Sequence, residues 1–234
     1  EAMLKNRVLE EVNSKKWYVR CRKNEPLHTS LARGCARSVG LVGIWGCIGR
    51  RIGIQPNSEG IGLKELSVET QGGYIQIDGQ MSTNIRGIYA IGDVNGKMPL
   101  AHVASAQATI AVETIAGLDT QPLDYAYMPR ATYCMPQIAS FGLTEAQARE
   151  QGKDIKVGTF NVQANGKALA MGEDSGLVKL VVDAKYGEIL GGHMIGPEVT
   201  ELLGELSMTR MLEGTVLELG WAVHAHPSIS EMLK

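Results

Sequence analysis

His224-Ala225-His226-Pro227-Ser228-Ile229-Ser230-Glu231, near the end of the chain, is the stretch from which the rest is read. It gathers two histidines, a proline and a carboxylate. Proline lacks the N–H that a strand needs, but it suits the first turn of a helix. The spacing therefore predicts a short helix that opens at Pro227 and runs to Met232 or Lys234. Glu231 then stands about one turn inside that helix and reaches back toward His226. A carboxylate on one ring nitrogen fixes the tautomer and raises the basicity of the other. Such a histidine is a general base with one free working nitrogen. The same residues also fit a plain helix cap or a surface ion pair, and spacing alone leaves that reading open.

Composition narrows the field. Hydrophobic residues make up 44% and charged residues 21%, the ordinary range for a globular protein. The 23 Lys and Arg against 25 Asp and Glu give a net charge of −2, so nothing favours nucleic acid or an anionic membrane surface. No apolar run approaches the ~20 residues of a membrane span, and Glu1-Ala2-Met3-Leu4-Lys5 has no signal-peptide pattern. Those first residues read as the middle of a longer patterned segment. Cys21, Cys35, Cys47 and Cys134 form no Cys-x-x-Cys or Cys-x4-Cys pair and no zinc-ligand cluster with histidine. They read as free thiols of a reducing compartment, with no metal site.

Along the chain, 7–12 and 16–21 alternate as strands, and 41–50 reads as a buried strand. Tyr74-Ile75-Gln76-Ile77-Asp78 alternates as a further short strand. Ile88-Tyr89-Ala90-Ile91 reads as an apolar strand ended by Gly92-Asp93. An acid there is placed to accept hydrogen bonds from a ligand's hydroxyls, although a turn aspartate is the plainer alternative. A helix is predicted over 100–116, with Pro99 in its first turn and Gly117 as its stop. Its free N–H groups and positive dipole end face whatever Asp93 binds. After a linker over 118–128, strands are predicted at 138–142, 155–162, 176–183 and 189–195. A helix opens at Thr144-Glu145, and a long helix runs over 198–213 to Gly214. The apolar face of that last helix fits either the core or a subunit seam.

Three of these strings together resemble one family, the flavin-dependent pyridine nucleotide–disulfide oxidoreductases. They are the His-x-His-Pro-x-x-Ser-Glu signature at 224–231, the Thr83-Asn84-Ile85-Arg86-Gly87-Ile88-Tyr89-Ala90-Ile91-Gly92-Asp93 string, and Pro99-Leu100-Ala101-His102. The family's usual Thr after the second histidine's proline is Ser228, and its usual Met before Leu-Ala-His is Pro99. His224-Ala225 favours the branch that oxidises dihydrolipoyl groups over glutathione reductase-like members. The resemblance covers residues 56–234; residues 27–55 fit it poorly.

The resemblance implies an α/β and α+β fold, the end of an FAD/NAD(P)-binding region followed by an α+β interface (dimerisation) domain. Residues 1–55 would be a remnant of the NAD-binding region, 56–120 an FAD-contacting segment and 121–234 the interface domain. FAD and NAD would be the cofactors. Asp93, with Gly92, would hold the ribityl chain, and backbone N–H groups of Leu100, Ala101 and His102 would face the flavin. The protein would be a homodimer in which His226, oriented by Glu231, is the acid/base at the partner subunit's disulfide. His224 and His102 would be structural. Its partners would be lipoyl-bearing proteins of 2-oxo acid dehydrogenase or glycine cleavage complexes, in a chloroplast stroma, a mitochondrial matrix or a bacterial cytoplasm. The family's Gly-x-Gly-x-x-Gly loops and Cys-x4-Cys disulfide are not found in these 234 residues. The sequence thus reads as a C-terminal half that does not turn over alone. A glutathione reductase-like enzyme and a non-catalytic paralogue acting as a dimerisation module are the alternatives.

Overall fold

A computed structural model describes residues 55–234, so the strands expected over 7–12, 16–21 and 41–50 lie outside the described residues. The chain divides into two compact units between Gln76 and Ile77.

In the first unit, β1 (Thr70–Gln71) and β2 (Tyr74–Ile75) form an antiparallel hairpin. Gly72 and Gly73 turn it with φ of +59° and +84°, a region that costs glycine nothing. Ser58 Oγ donates to the Gly73 carbonyl at 2.6 Å and secures the turn. The strand expected over 74–78 stops at Ile75, because Asp78 is committed to a turn. Its carboxylate accepts the N–H groups of Gln80 and Ser82, both at 2.9 Å.

The second unit opens with an irregular segment. The strand expected over 88–91 does not form: a single bridge joins Ser82 to Tyr89. Among the described residues only 81–83 lies alongside, too short a neighbour to support a ladder. Helix α1 (Ala101–Ile115) follows and buries Val103, Gln107, Ile110 and Ala111. Met81, Ile77, Tyr89 and Leu123 pack against that face. Pro99 stands outside the helix, since Leu100 is extended (φ −134°, ψ 136°).

The rest is an α+β layer. Strands β3 (Arg130–Thr132), β4 (Gln137–Gly142), β5 (Ile155–Asn161), β6 (Leu177–Asp183) and β7 (Ile189–Gly196) form an antiparallel sheet in the order β3-β4-β7-β6-β5. Helix α2 (Glu145–Glu150) opens with a reciprocal Thr144–Gln147 capping box, and α3 (Gly166–Met171) is capped by Asn165. The long helix expected over 198–213 is shorter: α4 spans Leu203–Met211. Glu198 has φ +51°, a left-handed conformation that a helix cannot propagate. A further helix, α5 (Val216–Trp221), opens with a Thr215–Glu218 capping box. The main core lies between the sheet and α3, α4 and α5, around Phe141, Val178, Leu180, Ile189, Met194, Val199, Leu203, Leu206, Leu219, Met232 and Leu233; α2 packs Ala148 into a separate cluster with Val181 and Leu190.

Strands β4 and β7 approach too closely for a side chain at Gly191. A Cβ there would sit 2.0 Å from the Leu143 carbonyl oxygen. Two positions on, His193 fills the same strand with a polar ring. Its Nε2 lies 2.9 Å from the Leu143 carbonyl and its Nδ1 2.8 Å from Ser140 Oγ. A carbonyl only accepts, so Nε2 carries the hydrogen and Ser140 donates to Nδ1. Burial pushes the His193 imidazolium's pKa below 6.5, with the Lys179 and Arg130 charges acting in the same direction against the Leu143 bond.

The sign follows. The fold holds this ring neutral, while the unfolded chain takes up a proton below that value. Its stabilisation is full above pH 6.5 and is lost as pH falls through the window beneath it. Urea midpoints should therefore drop as pH is lowered from 7, and His193→Gln should flatten that stretch of the profile. An equally steep profile in the variant would refute the assignment.

Candidate active site

The catalytic candidates sit on the chain that leaves α5. Residues 222–229 are irregular, and a 3-10 turn covers Ser230–Leu233. The helix predicted to open at Pro227 is therefore corrected. The His226–Pro227 peptide is cis. Ser228 lies just ahead of the turn, and its N–H is taken at 2.8 Å by Glu231 Oε2, as a carboxylate reaches back at a helix start. Behind it, Met232 and Leu233 are 1% and 3% exposed in the main core, which pins Glu231.

The other Glu231 oxygen, Oε1, lies 2.9 Å from His226 Nδ1. A carboxylate only accepts, so Nδ1 carries the hydrogen and the Nε2 lone pair is left free. The His226 side chain is 78% exposed and that of Glu231 27%. Glu231 is held below the usual carboxyl range, first by the Ser228 N–H bond and then by His226. It therefore stays anionic behind the imidazole across neutral pH. The pair has the form of a base with an oriented, outward-facing nitrogen.

Asn165, which the sequence reading passed over, supports this loop from the side. It is 3% exposed; its Nδ2 donates to the Ser228 carbonyl at 2.9 Å, and its Oδ1 accepts from Ala168 N at 2.9 Å. An asparagine opening a helix was the available signal, but nothing in sequence marks its second partner. His224 lies two residues before His226. Its side chain is 7% exposed, with Nε2 2.6 Å from Glu205 Oε1. Glu205 was likewise missed.

The second group of sequence-predicted residues surrounds Gly92-Asp93. These sit in a 3-10 turn over Gly92–Asn95 rather than at a strand end. Gln107, fully buried in the middle of α1, organises it. Its Oε1 accepts from Gly92 N at 2.7 Å and Asn95 Nδ2 at 2.9 Å, and its Nε2 donates to Tyr125 Oη at 2.9 Å. A polar residue interrupting an apolar helix face was the signal. Gly92 has φ +76°, and a Cβ there would touch Ala104 at 3.4 Å. Asp93 is left exposed, and no described residue donates to its carboxylate. α1 begins without a side-chain cap, so the N–H groups of Ala101 and His102 have no described acceptor. Leu100 differs: its N–H donates to the Met98 carbonyl at 2.9 Å, which removes it from the expected donor set. The His102 ring donates through Nε2 to the Pro129 carbonyl at 2.8 Å, so it braces α1 against the start of the sheet.

Comparison with known proteins places this architecture. The description "Pyridine nucleotide-disulphide oxidoreductase, dimerisation domain" matches residues 128–234, and "Pyridine nucleotide-disulphide oxidoreductase" matches residues 47–108. The chain belongs to the pyridine nucleotide-disulphide oxidoreductase family. Within it, the similar relatives are dihydrolipoyl dehydrogenases. That of Mycobacterium leprae is 55% identical over 185 residues, covering 78% of this chain and 40% of the relative. That of Corynebacterium glutamicum is 50% identical over 187 residues, with the same shares. Among solved structures, LpdA from Mycobacterium tuberculosis superposes with a TM-score of 0.73 at 27% identity, covering 80% of this chain and 40% of that one. The HOCl-induced flavoprotein disulfide reductase RclA from Escherichia coli gives 0.72 at 27% identity, covering 79% and 42%. The chain thus spans about 40% of the length of the curated relatives it matches. Among the described residues, no helix is long and apolar enough to cross a membrane.

Proposed function

We propose that the chain is the C-terminal part of a dihydrolipoyl dehydrogenase, a homodimeric enzyme that reoxidises dihydrolipoyl groups with FAD and NAD+. One observation carries the reading: the His226–Glu231 contact, with Nδ1 held by a carboxylate and Nε2 facing out. In this reading Nε2 takes the proton of a dihydrolipoyl thiol. The thiolate then attacks the partner subunit's disulfide, and the imidazolium so formed is stabilised by Glu231. Relatives named dihydrolipoyl dehydrogenase at half identity or more support the substrate class. The matched dimerisation domain supports delivery of the base across a subunit seam.

The residues of the Gly92–Asn95 turn fit a flavin's polar edge by the chemistry of their donors. The Asp93 carboxylate is an exposed acceptor suited to ribityl hydroxyls. The free N–H groups of Ala101 and His102, at a helix start, suit a negatively charged ring edge. When bound, FAD supplies the two-electron relay from the dithiol to NAD+. Lipoyl-bearing proteins of 2-oxo acid dehydrogenase or glycine cleavage complexes are the proposed partners. The bacterial relatives favour a bacterial cytoplasm over a stroma or a mitochondrial matrix.

The test is to isolate the natural polypeptide, read its bound flavin by absorbance and assay NAD+-linked oxidation of dihydrolipoamide. Flavin with turnover is expected. NADPH-dependent reduction of glutathione disulfide in its place would make it a glutathione reductase-like enzyme. Neither flavin nor turnover would leave the dimerisation module.

A further inference from the structure

We propose that Glu205 and His224 form a positioning pair that fixes the loop carrying the base, so that turnover depends on a carboxylate one helix away from the His226–Glu231 contact. This rests on the assignment of His226 as the base. The loop is anchored at its far end by Asn165, by Glu231 and by the buried Met232 and Leu233. At its near end the picture is different. Ala222, Val223, Ala225, His226 and Pro227 are all exposed, Val223 at 95%. Only the His224 ring turns inward, 7% exposed, to meet Glu205 Oε1 at 2.6 Å.

Glu205 is itself on firm ground. It lies in the first turn of α4 between the buried Leu203 and Leu206, where the helix dipole favours its negative charge. A line of rigid contacts therefore runs from the core through α4 and Glu205 to His224, and one residue separates His224 from the base.

The ring's remaining nitrogen indicates why a histidine stands here. Among the described residues, His224 Nδ1 is buried with no hydrogen-bond partner. Leaving a buried polar atom unpaired is unfavourable, and an apolar side chain of similar volume would fill the space without that cost. What the histidine alone provides is the short directional bond from Nε2–H to Glu205. The Glu205 carboxylate sets where the ring lies, and the ring sets where the backbone of Ala225 and His226 begins.

The test uses the natural flavin-loaded enzyme and the variants Glu205→Ala, Glu205→Gln, His224→Leu and His226→Gln. Misplacing a catalytic group by about 1 Å can cost roughly a hundredfold in rate. Glu205→Ala and His224→Leu should accordingly lower kcat by tenfold or more, with KM for dihydrolipoamide within about threefold. Bound flavin and thermal midpoint should remain close to the parent's. Glu205→Gln keeps an acceptor for Nε2–H and should recover most of kcat. That split and that rescue are what a space-filling role would not produce. Parental kcat in His224→Leu, or a loss in Glu205→Ala that Gln does not relieve, overturns the pair. If Glu205→Ala does not fold, His224→Leu decides alone, because it keeps the packing. His226→Gln separates the two levels: parental kcat there defeats the base itself, whereas a large loss there beside parental kcat in His224→Leu defeats only this inference.

Discussion

Replacing His226 by Gln should lower dihydrolipoamide oxidation by about 10²- to 10⁴-fold, the span over which a positioned general base contributes. Glutamine keeps a polar side chain of similar reach but has no nitrogen that takes a proton at neutral pH. The loss should fall on kcat and on kcat/KM together, because proton removal is felt in the transition state and not in ground-state binding. Bound flavin should be unchanged, since the His226 side chain is 78% exposed and supports nothing in the core. Steady-state rates with NAD+ read the loss. A parental rate would sink the assignment, whatever the 2.9 Å contact to Glu231 looks like.

The second large effect concerns stability. Phe141→Ala should cost roughly 3–5 kcal/mol, the range for deleting a fully buried phenylalanine. Phe141 is 1% exposed at the centre of the main core. Its ring lies 5.6 Å from that of Tyr127, tilted by 56°, and Arg210 covers the Tyr127 ring with Cζ 4.1 Å from the centroid. The sheet around it is pinned on both sides, by β3 and by β7, so the cavity cannot collapse freely. Set against the ~5–15 kcal/mol that holds a typical domain, such a loss removes much of the margin. Urea unfolding measures it; a change under about 1 kcal/mol would mean that this face of β4 is not the core. Met232 and Leu233 belong to the same cluster, so the loop of the base should loosen along with it.

The sequence exposed the parts of this molecule whose determinants are local. The strands predicted at 138–142, 155–162, 176–183 and 189–195 correspond to β4, β5, β6 and β7, and Thr144 marked α2, because strand-forming runs and caps are written within a few residues. The His226–Glu231 contact was legible for the same reason, being five residues apart. What failed depended on partners far along the chain or on backbone conformations that residue type does not announce. Ile88-Tyr89-Ala90-Ile91 has strand composition but lacks, among the described residues, a neighbour long enough to pair with. Helix α4 starts late because Glu198 adopts a left-handed conformation that its residue type does not announce. The Leu100 N–H proved to be taken by Met98, a local turn that helix patterning does not register. Gln107, Asn165 and Glu205 act on residues 12 to 63 positions away, and a single sequence carries no mark of such pairs.

The strand order has a consequence for how the chain assembles. β5, β6 and β7 are neighbours in both sequence and sheet, whereas β4 must find β7 across a long loop, with Ser140 and His193 53 residues apart. Closing long loops costs entropy before any contact rewards it, so local pairings form first. The β5–β6–β7 meander should gain amide protection in pulse-labelled refolding before β4 does, and simultaneous protection would argue otherwise. The tether from Asn165 to Ser228 spans 63 residues, so by the same entropy argument the loop of His226 should close later than the β5–β6–β7 meander.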